Sequence, residues 1–142
     1  MLIKQISVFL ENKAGRLADV TRTLAEENVN IYALSIADTT DFGILRLIVE
    51  APEEVESLLK ENGFTVSCTD VIAIAIKHEP GSLANVLSIL NENEIGIEYI
   101  YAFVGQYKDE ALVVIKAEGS QKAFEVLKAN GVDVISDHKL YE

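Results

Sequence analysis

Apolar residues first alternate along the chain and then recur at a helical spacing. Four apolar positions in the first ten residues share one face of an extended segment: Leu2, Ile6, Val8 and Leu10. This alternation predicts a β-strand. The next apolar positions lie three or four residues apart, and they are Leu17, Val20 and Leu24. That spacing predicts an amphipathic helix, which ends at Asn28.

The remaining patterns give the first half a β-α-β-β-α-β order. The predicted elements are strands at 30–37 and 44–50, a hairpin loop at 38–43, a helix that begins at Pro52 and a strand at 64–68. The strands rest on apolar, β-branched runs. Pro52 suits a first helical turn, and Gly63 suits a helix end. Each of these elements therefore has its own local pattern.

The second half repeats the first. At a constant offset the matching pairs are Gly15 and Gly81, Leu17 and Leu83, Ala18 and Ala84, Val20 and Val86, Leu24 and Leu90, and Ile31 and Ile97. The predicted elements are a strand at 71–77, a helix at 81–93, strands at 95–104 and 110–117, a helix at 120–130 and a strand at 132–136. We therefore predict an α+β fold of two ferredoxin-like βαββαβ units with antiparallel sheets, packed together. The domains are predicted at 1–69 and 70–142, with only Thr69 and Asp70 between the neighbouring strands.

One face of each predicted sheet lacks a helix, yet it is too apolar to face water. In residues 71–76 the isoleucines should face the helices, which places Ala73 and Ala75 on the open face. The other residues expected on open faces are Ile44, Ile48, Val113 and Ile115. We expect these faces to be buried within the chain or in a homodimer.

Charge and composition exclude several classes of partner. The formal net charge of −11 opposes binding to nucleic acid or to an anionic membrane. No apolar run approaches the roughly 20 residues that span a bilayer, and residues 1–5 lack the pattern of a signal peptide. The one cysteine, Cys68, excludes an internal disulfide and fits a reducing compartment. We therefore expect a cytoplasmic protein.

The strongest candidate site is the turn between the first strand and the first helix of each half. These turns lie at 12–17 and 78–83, and each contains a glycine just before the helix. N–H groups in a first helical turn lack partners within the helix and carry partial positive charge. Such a turn suits a small carboxylate or another anion. The alternative is a turn that needs glycine for structural reasons alone.

Other polar residues form weaker patterns. Arg46 lies among apolar neighbours, where it would pair with a ligand carboxylate or with a carboxylate of the protein. Three tyrosines are suited to contact with a ligand ring or with a subunit, and they are Tyr99, Tyr101 and Tyr107. Three potential metal ligands lack the spacing of a metal site, and they are His78, His138 and Cys68. No nucleophile with a base partner, nucleophile elbow or phosphate-binding loop is present. We therefore expect no catalytic residue, no metal and no cofactor.

The two turns and their flanks resemble the ACT domain. The family pattern is an apolar strand, then N-x-P-G-x-L-A, an apolar helix and an N-I or G-I strand start. It is matched from Ile6 to Ile31 and again from Ala75 to Ile97. The resemblance covers essentially all 142 residues as two copies. The first half is similar in particular to the small regulatory subunits of acetolactate synthase.

This resemblance implies a non-enzymatic, allosteric module that binds a free amino acid between two ACT units. The turn of one unit and the second strand of the other contact the ligand in that family. Carried over, the ligand-binding residues are Asn12, Lys13, Ala14, Gly15, Arg16, Leu17, Asn30, Ile31, His78, Glu79, Pro80, Gly81, Ser82, Leu83, Ala84, Gly96 and Ile97. Ala14 stands where the family has proline, and His78 where it has asparagine. Whether one or both turns bind, and which amino acid, therefore stays open.

The function that the resemblance implies is that of an amino-acid sensor. Ligand binding would modulate a partner enzyme or the protein's own assembly, and we expect a homodimer. The alternative is a regulatory subunit of an amino-acid biosynthetic enzyme such as acetolactate synthase.

Overall fold

The computed structural model describes residues 2–11, 13–38, 41–105, 107, 109–136 and 140–141. The chain divides into two units. We call Lys4–Thr69 the first unit, and Met1–Ile3 together with Asp70–Glu142 the second unit. The prediction from the sequence placed residues 1–3 in the first domain. The structure groups Leu2 and Ile3 with the second unit, where Leu2 packs against the buried apolar cluster.

The predicted βαββαβ order occurs in both units, which confirms the fold class. The elements are β1 (Ile3–Glu11), α1 (Arg16–Glu26), β2 (Ile31–Asp38), β3 (Phe42–Val49), α2 (Pro52–Glu61), β4 (Thr65–Lys77), α3 (Ser82–Glu92), β5 (Ile97–Ala102), β6 (Glu110–Ala117), α4 (Ser120–Ala129) and β7 (Asp133–Ile135). Of the predicted hairpin loop at 38–43, Thr39 and Thr40 lie outside the described residues.

Strand β4 differs from the prediction. We predicted two short strands separated by Thr69 and Asp70, but β4 is one strand of 13 residues. It contains neither glycine nor proline, the two residues that most often interrupt a strand. β4 therefore supplies the last strand of the first unit and the first strand of the second.

The sheets have the predicted antiparallel pairing. In the first unit the strand order is β2-β3-β1-β4, and β3 pairs antiparallel with both β1 and β2. In the second unit β6 lies between β4 and β5, and β7 pairs with β4. The first turn of each unit follows a strand with a neighbour on both sides, β1 in the first unit and β4 in the second. The second strand of each repeat, β2 or β5, lies at an edge.

Each unit has its own apolar core between the sheet and its two helices. In the first unit the helices contribute Val20, Leu24, Val55 and Leu59, and in the second Val86, Leu90, Ala123 and Leu127. In the first helix of each unit, the first buried residue lies one turn after the helix start, at Val20 in α1 and at Val86 in α3. Leu17 and Leu83 belong to the predicted helical stripes but are 40% and 39% exposed.

The sheet face away from the helices is buried at its centre, but two predicted members lie elsewhere. Val113 and Ile115 belong to the helix-side cluster of the second unit, so placing them on the open face was wrong. They pair in register with Ile74 and Ile72, and residues paired in register share a face. Ala73 alternates with these isoleucines and is fully buried on the opposite face.

The first unit shows the same arrangement. Ile48 alternates with Leu47 and Val49 of the helix-side cluster, and it is fully buried on the opposite face. Among the described residues, no helix is long and apolar enough to cross a membrane.

Candidate functional site

The first turn joins the end of β1 to the start of α1 through a left-handed glycine. Gly15 has φ 90° and is the N-cap of α1. The Lys13 N–H donates to the Glu11 carbonyl at 2.7 Å, and the Arg16 N–H donates to the Lys13 carbonyl at 3.3 Å. The helix then begins with the Asp19 N–H bonded to the Gly15 carbonyl at 2.9 Å. A positive φ disfavours any residue with a Cβ, which explains the glycine.

The second turn repeats these hydrogen bonds. Gly81 has φ 91° and is the N-cap of α3. The Glu79 N–H donates to the Lys77 carbonyl at 2.9 Å, and the Ser82 N–H donates to the Glu79 carbonyl at 3.3 Å. The Asn85 N–H reaches the Gly81 carbonyl at 3.0 Å. The repeat in the sequence is therefore a repeat in backbone geometry.

Among the described residues, no side-chain hydrogen bond caps the start of α1 or of α3, where the N-cap residue is a glycine. The second and third helical N–H groups belong to Leu17 and Ala18 in the first unit, and a glycine N-cap has no side chain that could bond them. The helix dipole adds partial positive charge there, which favours a carboxylate.

A cavity lies beside each turn, and the two cavities are equivalent by sequence repeat. The first has a volume of about 360 Å³ and is lined by Phe9, Glu11, Arg16, Phe42, Gly63 and Thr65. The second has a volume of about 600 Å³. The counterparts of the first lining all line the second: Ala75, Lys77, Ser82, Glu110, Gly131 and Asp133. Glu110 is the counterpart of Phe42 by strand register, since it pairs with Lys77 as Phe42 pairs with Glu11. We call them the first-turn cavity and the second-turn cavity.

Charged side chains at the first turn are paired with one another. Lys13 Nζ lies 2.9 Å from Glu11 Oε2, and this pair lowers the pKa of the Glu11 carboxyl. Arg16 Nη1 lies 3.5 Å from Asp19 Oδ2. The Arg16 guanidinium also lies 5.2 Å from the centre of the Phe64 ring. The guanidinium is therefore held at the first-turn cavity by two contacts.

The second-strand residues predicted for the site lie away from the turn of their own unit. Ile31 pairs with Val49 at one end of β3, whereas Leu10, close to the turn, pairs with Gly43 at the other. Six residues of strand separate these positions by about 20 Å. The second unit has the same separation, with Ile97 opposite Ala117. Within one unit the turn and the second-strand start are therefore not brought together.

The second-strand starts also differ from each other. Asn30 lines a separate cavity of about 380 Å³ between the end of α1 and the start of α2. At the equivalent place in the second unit, a Cβ on Gly96 would come within 2.8 Å of the Glu118 side chain. The glycine there allows this close approach.

The remaining sequence candidates have structural surroundings of their own. Asn12 and His138 lie outside the described residues. His78 lines cavities beside β6 rather than the second-turn cavity. Tyr99 and Tyr101 stack with ring centroids 6.4 Å apart, and Arg46 is half-buried on β3. Across the described part of the chain, no three potential metal ligands cluster.

Sequence reasoning missed cavity residues that lie outside the turns. Among them are Phe9 and Phe42 in the first unit and Glu110 and Asp133 in the second. They come from strand ends that only the fold brings next to the turns.

Comparison with known proteins gives a family and a fold. A family model described as the ACT domain pair matches residues 1–142. The crystal structure of protein BT0572 from Bacteroides thetaiotaomicron is 46% identical, with a TM-score of 0.93, over 100% of this chain and 97% of that one. No match is found among curated proteins.

More distant structures share the fold alone. The ligand-free regulatory subunit of aspartate kinase from Thermus thermophilus is 16% identical, with a TM-score of 0.62, over 98% of this chain and 93% of that one. The corresponding subunit from Thermus flavus is 17% identical, with a TM-score of 0.63, over 100% and 96%.

Proposed function

The chain belongs to the family of ACT domain pairs, and on that basis we propose that it is a regulatory protein that binds a free α-amino acid. The observation that carries this proposal is the pair of equivalent cavities, one beside each glycine turn. A module of this kind regulates through binding and performs no chemistry. We propose no catalytic residue, and we expect the protein to act in the cytoplasm.

The ligand carboxylate is expected at the uncapped helix start. In the first unit its partners are the N–H groups of Leu17 and Ala18, and in the second those of Leu83 and Ala84. The dipole of each helix favours negative charge at that point. The ligand amino group is expected to bond to backbone carbonyls of a neighbouring strand, or to Asn12.

The neighbouring strand is expected to come from another ACT unit. The start of β2 lies about 20 Å along the sheet from the turn of its own unit, so it cannot close the same site. We propose a homodimer in which a second copy supplies it. A ligand that bridges two units stabilises that arrangement by its differential affinity, which couples binding to assembly.

The proposal is tested by a thermal-shift screen of the twenty amino acids on the whole chain. A ligand at about 100 times its Kd adds about 2.7 kcal/mol of stability, which raises the Tm by several degrees for a chain of this size. If no amino acid shifts the Tm at millimolar concentration, the sensor proposal is wrong.

Two glycine variants show which turn is used. Gly15→Val and Gly81→Val each place a β-branched residue at a φ near 90°, which that residue does not tolerate. Each should abolish binding at its own turn. Gly15→Ala is the milder control, because alanine meets the same positive φ without a β-branch and has no polar side chain that could bond the Leu17 and Ala18 N–H groups.

The alternative function is a regulatory subunit held stably by a biosynthetic enzyme. It predicts that one defined enzyme co-purifies with the chain at constant stoichiometry. A chain that purifies alone and still responds to an amino acid favours the sensor.

A further inference from the structure

The two cavities are equivalent in position but differ in their walls. The first-turn cavity has Phe9, Phe42 and Arg16 where the second-turn cavity has Ala75, Glu110 and Ser82. The replacement of two rings and a guanidinium by smaller or acidic side chains accords with the larger second volume, about 600 Å³ against about 360 Å³. The two walls therefore offer different chemistry to a ligand.

The two rings that line the first-turn cavity are partly exposed. Phe9 is 42% exposed and Phe42 is 53% exposed. Exposed large apolar side chains that flank a cavity are typical of binding sites. A ligand side chain that covers both rings removes apolar surface from water and gains from ring contacts.

The same cavity contains a positioned cation. Arg16 is held by Asp19 at 3.5 Å and lies over the Phe64 ring. A guanidinium has five N–H donors in a planar fork, so these contacts leave donors for a ligand carboxylate. Arginine pairs with carboxylates in a bidentate way that fixes their orientation. In the second-turn cavity, Ser82 and Val132 stand where Arg16 and Phe64 stand.

We infer that the first-turn cavity selects an α-amino acid with a large apolar side chain, aromatic or aliphatic, and that the second-turn cavity does not. Arg16 holds the carboxylate, and Phe9 with Phe42 contacts the apolar side chain. The second-turn cavity would place such a side chain among the charged groups of Lys77, Glu110 and Asp133. This inference rests on the proposed function and adds the ligand class for one of its sites.

The test is calorimetric titration of the whole chain with L-phenylalanine and L-leucine, compared with L-aspartate and L-lysine. The apolar pair should bind at least about tenfold more tightly than the charged pair. Arg16→Ser and Phe42→Glu install the residues of the second unit. Arg16→Ser should weaken L-phenylalanine binding about 10- to 100-fold, and Phe42→Glu at least about tenfold.

Matched controls separate the cavity from general effects of charge. Arg22 also pairs with Asp19, at 3.3 Å, but does not line the cavity. Arg22→Ser should leave binding within about twofold, whereas Arg16→Lys should keep part of the affinity because the cation is retained. Val104→Glu adds an acid at a residue that is 55% exposed and outside both turn cavities. It should also leave binding unchanged, and circular dichroism checks that every variant is folded.

Each failure has a distinct meaning. If charged amino acids bind as tightly as apolar ones, or if Arg16→Ser and Phe42→Glu leave L-phenylalanine binding intact while Gly81→Val removes it, the inference is wrong and the proposed function stands. If none of the twenty amino acids binds, both are wrong.

Discussion

The two units keep the same helix-side core and differ on the opposite sheet face. Val20 and Leu24 in the first unit correspond to Val86 and Leu90 in the second, and all four are buried. These positions sit between sheet and helices in both units. The apolar core that defines the fold is therefore retained in both repeats.

The opposite face carries one polar rung in the first unit and an apolar or aromatic rung in the second. A rung here is a row of three residues paired in register across three strands. The polar rung of the first unit is Ser7, Arg46 and Ser35. The corresponding rung of the second unit is Ala73, Val114 and Tyr101. Gln5 is fully buried next to the polar rung, and its Nε2 donates to Ser7 Oγ at 3.1 Å. In the described structure Ser35 Oγ is buried without a hydrogen-bond partner.

This difference shows which positions the fold leaves variable. A buried polar group costs stability unless it is hydrogen-bonded, so the first unit requires specific partners on this face and the second requires only apolar contact. The two turn cavities also differ from each other outside the shared core, because their linings differ at the ends of strands. The units therefore share a fold and differ in the side chains that line their turn cavities.

The largest expected effect comes from a charge on the apolar rung. Ala73 is fully buried, so Ala73→Glu leaves a buried carboxylate without a cationic partner. We expect the free energy of unfolding to fall by about 3 to 5 kcal/mol, measured by urea denaturation. Sedimentation would report any accompanying change in assembly.

The control for this charge is Ala102→Glu, at an exposed position in the same unit. It should change the free energy of unfolding by less than about 0.5 kcal/mol. An Ala73→Glu protein as stable as wild type would mean that this face tolerates charge and that the contrast between the rungs has no energetic consequence.

Matched core deletions test the part that the units share. Leu24 and Leu90 are 1% and 0% exposed at equivalent helix positions. Leu24→Ala and Leu90→Ala should each lower the free energy of unfolding by about 2 to 5 kcal/mol, because each loses apolar burial and leaves a cavity. Equal losses within about 1 kcal/mol would support equivalent cores, whereas a loss confined to one unit would contradict them.

The sequence predicted the parts that depend on local pattern. The two glycine turns and the element order, apart from the two predicted strands that form the single strand β4, follow from periodicity and from the repeat, and the structure has them. Val113 was assigned to the wrong face because strand register depends on its partner Ile74, which lies 39 positions away. Phe9 and Phe42 were missed as cavity residues for the same reason, since only strand pairing brings them to the turn.

Backbone strain at the second helix of each unit offers a smaller test. Ala51 and Gly119 are the N-caps of α2 and α4, and both are left-handed, with φ 55° and 78°. Gly119→Ala should cost about 1 to 2 kcal/mol, because a Cβ opposes that conformation. Ala51→Gly should be neutral or stabilising by up to about 1 kcal/mol, since relief of strain is offset by backbone entropy. Thermal denaturation measures both, and destabilisation by Ala51→Gly would contradict the strain argument.

The smallest expected effect concerns Cys68, whose repeat counterpart is Ser136. Burial, followed by the nearby Glu56, raises the pKa of the thiol from 9.0 to about 11. The folded state therefore favours the neutral thiol, and its contribution to stability is full below about pH 9 and is lost as the pH rises towards 11. Lysines and tyrosines titrate in the same range, so only the difference between wild type and Cys68→Ser isolates the thiol. Urea denaturation at pH 8 and pH 10.5 should show a larger decrease in the free energy of unfolding for wild type than for Cys68→Ser.

Alkylation of Cys68 by iodoacetamide tests the raised pKa directly, because the thiolate is the reactive form. Alkylation should begin at a higher pH in folded protein than in urea. Equal pH profiles in the two states would show that the folded environment does not raise the pKa of the thiol.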